Sequence, residues 1–590
     1  METNENREPL RANIGLFARV FLIVIALFFV AALIIRMVGL NPSEIWDWYD
    51  LDNIRNNLDG NYILMHQLDS TTAGYEELAS GIANEGKGWQ PIGTVPPDQF
   101  DPNEPYNQPN PFTGTFEGQG YEIRDLFINR PDETYVGLFA FQGGVIRNVG
   151  VANATVTGEW CVGGLAGANA GRVSNCYLAA SNVIGNSSVG GLVGINGGDV
   201  SNSYFTAGSV IGNSLIGGLM GSNLLGTVRN SHYNYDEVLI NRENVITIGA
   251  LCSEDFEQWL TDDKFLDVNQ RLSQDNGYYL INNVGDFRQL LAFGQDGSLK
   301  FRLTSDLDLA DEPNFFIPYL DGQFHANGYK ISHLTFNFDF VSQVGLFGYV
   351  SSGAKVSGAR VENVNVTSCI YLGGVAGYNE GTINDSCATG IVNGQQCIGG
   401  VVGSNEGTVS NCYATGNVSG DWPIGGVVGL NQGTVSNCYA TSNVSGDGFT
   451  VGGLVGSNSG AVSDSYAAGS VSGESCVGGL VGYNSGTVRK SYSAGSVRGK
   501  SSIGGLVGCS HEDNISNSFW DKDTCSAVTG VGEGAPTEIT GKSTEEMHDI
   551  TTFSLAGWNI IRVANPDMRN PSYVWNIVDG VTYPFLNWQP

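Results

Sequence analysis

Ile424-Gly425-Gly426-Val427-Val428-Gly429, then Asn431, then Gly433-Thr434-Val435-Ser436-Asn437-Cys438-Tyr439, is a phrase to which the chain returns every 26 or 27 residues. Its Gly-Gly pairs fall at 163/164, 190/191 and 217/218, and again at 373/374, 399/400, 425/426, 452/453, 478/479 and 504/505. At about 3.3 Å per residue, one such period of extended chain traces roughly 85 Å, which suits a coil of a β-solenoid with three short faces. Gly, Val, Ser, Asn and Thr dominate the unit, and none of its apolar runs is long enough for an amphipathic helix. The spacing predicts coils that pair with their successors as parallel strands. If the Gly-Gly pairs stack, a side chain added at Gly426 must push against the coils above and below, more so than at Gly505 in an end coil.

Two columns of the repeat agree with that stacking. Aligned on Cys438, one column reads Cys176, Ser203, Ser231, Ser386, Cys412, Cys438, Ser465, Ser491 and Ser518. The next reads Tyr177, Tyr204, His232, Cys387, Tyr413, Tyr439, Tyr466, Tyr492 and Phe519. A site restricted to two small side chains is tightly packed, and aromatic rings one coil apart can stack at strand spacing. The pattern alone does not say which column faces inward. Cys412 and Cys438 fall within nominal bridging range, but parallel neighbours give poor disulfide geometry and Ser fills the column elsewhere, so free buried thiols are expected. Cys252, Cys509 and Cys525 are scattered without metal-ligand spacing.

The phrase Gly-Gly-Leu-Val-Gly-Xaa-Asn-Xaa-Gly-Thr-Val-Xaa-Asn-Ser/Cys-Tyr resembles the GLUG repeat of bacterial surface and adhesin-like proteins, over roughly residues 112–235 and 320–520. The resemblance implies an all-β, parallel β-helix (β-solenoid) and a surface protein, and it brings no catalytic residues with it. Right-handed coils follow from the resemblance and from the general preference for right-handed crossovers.

The first 40 residues differ in kind. Val20 to Ile35 is uninterruptedly apolar and bracketed by Arg19 and Arg36, with Leu16, Phe17, Met37 and Val38 extending it. Residues 16–40 therefore read as a transmembrane signal-anchor. Arg7, Arg11 and Arg19 precede or open the run while Glu44, Asp47, Asp50 and Asp52 follow, which keeps 1–15 cytoplasmic and the repeats outside in a single-pass topology. A cleavable signal peptide is the alternative. The formal charge of −31, from 28 Lys plus Arg against 59 Asp plus Glu, argues against nucleic acid as a partner and favours cationic partners or divalent ions.

After the anchor, 41–111 reads as a stalk and first N-terminal cap, with a short amphipathic helix expected from Ser43, a strand at Tyr62-Ile63-Leu64 and a helix near Tyr75–Ala79. A first β-helix module spans 112–235, a cap or connector 236–319, a second module 320–520 and a Trp-rich C-terminal cap 521–590. The two modules duplicate each other. Gly114, Phe116, Gly120, Ile123, Leu126, Gly137 and Phe139 recur, displaced by 208 residues, as Gly322, Phe324, Gly328, Ile331, Leu334, Gly345 and Phe347. Within the connector, Ser253–Asp262 and Asp286–Phe293 read as short helices that cap one solenoid and start the next.

Candidate sites lie at the corner before each Gly-Gly pair, where the repeat varies most. That corner reads Glu159-Trp160-Cys161, Asp421-Trp422-Pro423 and Asp447-Gly448-Phe449, with Glu474 and then Lys500 next in line. Variable corners on a constant scaffold are where repeat proteins bind, so Trp160, Trp422 and Phe449, with Asp421, Asp447 and Glu474, are the candidate binding residues for a glycan or protein ligand. Glu380 and Glu406 also fall one coil apart. A polysaccharide lyase or hydrolase on a β-helix would need such clustered carboxylates, and an acidic ladder could hold Ca2+ weakly. Solvated corner carboxylates are the simpler reading, so no enzyme, no catalytic residue, no resident metal and no cofactor is expected.

Overall fold

The computed structural model describes residues 42–93 and 110–589, apart from 513, 526, 528 and 536–538. The expected anchor at 16–40 lies outside the described residues, among which no helix is long and apolar enough to cross a membrane.

Successive coils pair in parallel and in register, as the period requires. Gly399 aligns with Gly425, and Gly425 with Gly452, while Val401 N donates to Val427 O and Val427 N to Leu454 O. Sheets of 7, 5, 4, 4 and 6 strands wind the first run of coils, and sheets of 11, 17 and 9 strands wind the second. Parallel pairing in the first run already starts at Ser43–Ile45, which pairs with Asn61–Leu64. The helix expected from Ser43 therefore begins later, at Trp48–Asp52, where the Asp47 carboxylate accepts from Asp50 N at 2.9 Å and caps it. The expected helix near Tyr75 is present as Tyr75–Leu78.

The interior is a stack of like residues. Val401, Val427, Val428, Val435 and Leu454 are all fully buried, each worth about 1.5–3 kcal/mol of transfer free energy. The duplication is visible in this packing: Phe116 meets Phe139 edge to face at 5.7 Å, and their counterparts Phe324 and Phe347 do the same at 5.0 Å.

The Cys/Ser column faces inward, and its chemistry explains why only these two residues fit. Each side chain accepts the backbone N–H of the preceding coil and donates to a carbonyl two residues upstream. Ser465 Oγ, for example, accepts from Cys438 N at 3.0 Å and donates to Ser463 O at 2.7 Å. Ala would lose both bonds, and a larger residue would not fit. Cys412 and Cys438 are free thiols, as expected. The bridge that does form, Cys476–Cys509, spans 33 residues. Column alignment misses it because that separation exceeds one period.

The aromatic column faces outward and is covered from the side. Tyr413, Tyr439, Tyr466 and Tyr492 stack with centroids 4.9–5.2 Å apart and planes within 6° of parallel. On another face, Val531–Gly534 adds the last strand to the 9-stranded sheet, beside Val507–Ser510. From Thr544 onward the chain turns back along the flank, laying Trp588 against Tyr439, Trp575 against Tyr466 and Trp558 against Tyr492. In the first run, the helix Ser253–Thr261 does the same with Phe256 and Trp259 over Tyr204.

The two runs abut. Strand Ser214–Gly217 packs on strand Thr335–Val344, and Gln343 Nε2 donates to Asn223 O at 2.9 Å. Gln295 receives Ser231 N on its carbonyl and donates its amide to Ser231 O, both at 2.9 Å. Its side chain thus supplies the acceptor that the next coil's Ser would have given.

Candidate binding surface

The corner before most Gly-Gly pairs is built by a left-handed residue, with φ of +56° at Cys161, +62° at Thr450 and +47° at Cys476, whereas at Trp422 the following residue is Pro423, joined by a cis peptide bond. The residue at the head of that corner projects from the rod. Trp160, Trp422 and Phe449 are 47%, 51% and 62% exposed. The alignment of Ile424 with Val451 sets Trp422 and Phe449 on successive coils of one column, followed by Ser475 and preceded by Gln396. Trp160 stands in the first run, between Thr134 and Ser187. The structure therefore brings together two of the three aromatic candidates.

The carboxylates divide by role. Asp421 and Asp447 are exposed next to the two rings in sequence and make no ion pair among the described residues, whereas Glu474 is bound by Lys500 from the next coil. Glu380 and Glu406 are committed elsewhere: the Tyr349 hydroxyl donates to Glu380, and the Tyr378 hydroxyl donates to Glu406 at 2.5 Å. Burial holds the Glu380 carboxyl above its ordinary range and pushes the Tyr378 hydroxyl up, the nearby Glu406 adding to the latter. These groups brace a stack of Tyr319, Tyr349 and Tyr378. Among the described residues no group of three or more His, Cys, Asp or Glu is placed to hold a metal ion. Burial also pushes the Cys176 thiol up to about 12, which keeps that thiol unreactive.

The buried asparagine of the repeat is the residue whose role the sequence does not disclose. Asn379, Asn405, Asn431, Asn458 and Asn484 form one side-chain amide ladder, each Nδ2 donating to the next Oδ1 at 2.7–2.8 Å. Gln142, Asn169, Asn196 and Asn223 form another. The signal that could have found it is the near-constancy of Asn at that place from coil to coil, broken at Gln142 and Ser510.

The GLUG motif matches this chain at residues 158–184, 185–211, 394–419, 422–445 and 473–498. These five stretches of the chain are GLUG repeats. A GLUG coil in this protein is therefore one turn of the parallel solenoid, and the Trp422 corner lies at the start of one such match. Over 134 residues the chain is 34% identical to a "Putative Gly-rich membrane protein" of Evansella cellulosilytica, covering 22% of this chain and 13% of that protein. It is 31% identical over 134 residues to halomucin of Haloquadratum walsbyi, of which it covers 1%. Among solved structures, a "putative immunoglobulin A1 protease" from Bacteroides ovatus aligns over 54% of this chain and 95% of its own, at 20% identity and a TM-score of 0.34.

Proposed function

We propose that this GLUG-repeat chain is a cell-surface rod, held to the membrane through residues 16–40, that binds a partner through its exposed corners and performs no chemistry on it. The observation that carries this reading is the pair Trp422 and Phe449, two half-exposed rings on successive coils of one column, with Asp421 and Asp447 near them in sequence and without an ion pair among the described residues. Flat apolar faces stack on sugar rings or on apolar side chains, and free carboxylates accept hydroxyls or pair with amines. The surrounding charge favours neutral or amine-bearing partners over acidic ones. The names of the two relatives, a Gly-rich membrane protein and halomucin, support a place at the cell surface. The non-enzymatic part is supported by the commitment of Glu380 and Glu406 to tyrosine hydroxyls.

Retention of the full-length protein on immobilised neutral and amine-bearing polysaccharides tests the reading. Trp422→Ala with Phe449→Ala should abolish retention without changing the thermal midpoint. Retention that survives the double substitution, or depolymerisation of any polysaccharide in the panel, overturns it.

A further inference from the structure

Where the first run of coils ends, a cleft of about 300 Å³ opens beside the helix Ser253–Thr261, bounded by the last first-run coil and the loop at 294–297. Arg229, Lys264, Phe265 and Asp296 line it, with the buried Trp259 behind them. That volume is at the lower end of small-molecule sites. The charge there runs against the rest of the chain. In a protein of formal charge −31, neither Arg229 nor Lys264 is ion-paired to an acid among the described residues. Lys264 Nζ donates to Asn202 O at 2.9 Å and lies 5.0 Å from the centre of the Tyr204 ring, which leaves two of its three N–H groups for a ligand.

The apolar wall is held out by backbone that ordinary residues avoid. Asp263 and Lys264 are consecutive left-handed residues, with φ of +56° and +61°, and they carry the chain into Phe265, which is 64% exposed. Asp296 contributes an acceptor. Its Oδ1 takes the N–H and hydroxyl of Ser298 at 2.9 and 2.6 Å, and Oδ2 accepts no hydrogen bond among the described residues.

We propose that this cleft binds a carboxylate-bearing sugar, with Arg229 and Lys264 on the carboxylate, Phe265 against the ring face and Asp296 accepting a hydroxyl. A simple inorganic anion would use neither the ring nor the acceptor, and an apolar acid would leave Asp296 unused. The proposal stands apart from the Trp422 corner, whose free charges are negative.

Titration of the full-length protein with D-glucuronate, D-glucose and acetate decides it. Glucuronate should bind saturably, and the other two at least about tenfold more weakly, since each lacks one half of the recognition. Arg229→Gln and Phe265→Ala should each weaken glucuronate, the former about tenfold, whereas Arg498→Gln on a distant coil and the Trp422→Ala, Phe449→Ala pair should not. Arg229 and Phe265 are exposed, so neither change threatens folding. Absence of glucuronate binding, equal binding of glucose or acetate, or undiminished binding by Arg229→Gln overturns the proposal.

Discussion

The side-chain amide of Asn431 donates to the side-chain carbonyl of Asn458, one coil on, at 2.8 Å, and both residues are fully buried. Asn431 also accepts from Asn405 at 2.8 Å, so it is a middle link of a hydrogen-bonded chain through the interior. Asn431→Ala breaks both bonds and strands the Asn458 carbonyl. We expect a loss of about 2–4 kcal/mol in the unfolding of the second run of coils, measured in urea. Asn484→Ala should cost less, because its onward bond, to Ser510 Oγ at 3.5 Å, is already weak.

Gly426 is glycine because of crowding. A Cβ there would sit 2.1 Å from Gly453 O and 2.7 Å from Ala440 Cβ. Gly426→Ala should therefore cost about 2–3 kcal/mol or more. Gly505 gives no relief at the end of the series, contrary to the expectation that an end coil frays, because its Cβ would lie 2.2 Å from the Trp520 ring. At Gly120 the reason is different: φ is +84° with nothing within 4 Å, so Gly120→Ala should cost only about 1 kcal/mol of backbone strain. Thermal midpoints of the three variants test the order.

The ease of reading this fold from sequence has a physical root. A solenoid repeats its environment, so Gly426, Cys438 and Tyr439 each advertise a column, and the column is the structure. What breaks the period is what escaped. Cys476–Cys509 joins residues at unlike positions in the repeat. The flank packing of Trp575 and Trp588 depends on a single non-repeating segment meeting a repeated surface. Of the candidate site, the exposure of Trp422 and Phe449 follows from their place at a variable corner. The commitment of Glu380 to Tyr349 does not, since the partner belongs to the preceding coil and to another column.

Cysteine chemistry separates the two kinds of thiol. Cys412→Ser with Cys438→Ser should change stability by less than about 1 kcal/mol, since Ser fills the same donor and acceptor roles in neighbouring coils. Cys509→Ser removes a link closing a 33-residue loop and should cost about 3–4 kcal/mol on the chain-entropy argument. Reducing agent should reproduce the second effect and leave the first pair silent.

Burial raises the Glu380 carboxyl above its ordinary value, and the Tyr349 hydroxyl only partly offsets this. A carboxyl raised in the folded state favours folding while it is protonated. That contribution is fully present below its unfolded value and is lost as pH rises through the folded one. Glu380→Gln keeps an acceptor for Tyr349 and removes the ionisation, so it should stabilise the protein at neutral pH and flatten the slope of stability across that acidic window. An unchanged slope in denaturant titrations between those limits would show that Glu380 ionises as freely in the fold as outside it.

The flank segment from Thr544 to Gln589 should come off the rod before the coils open. Its core, built from Met547, Phe553, Trp558, Trp575 and Leu586 against Tyr439, Tyr466 and Tyr492, is separate from the interior of the solenoid. Polar pins hold it at both ends. Asp521 accepts from Tyr583 Oη at 2.5 Å and Thr544 Oγ1 at 2.7 Å, and Gln589 Nε2 donates to Tyr466 Oη at 2.6 Å. Trp575 is the middle anchor, fully buried between Tyr466 and Tyr492, with its Nε1 donating to Asp464 at 3.4 Å. Trp575→Ala leaves a cavity worth about 3–5 kcal/mol, enough to melt the segment while the coils stay paired. On heating this variant, tryptophan fluorescence should change and protease should cut beyond residue 544 well below the temperature at which the far-ultraviolet β signal is lost. Coincident transitions by both probes would mean that the flank and the coils unfold as one unit, and that the tyrosine ladder holds only while it is covered.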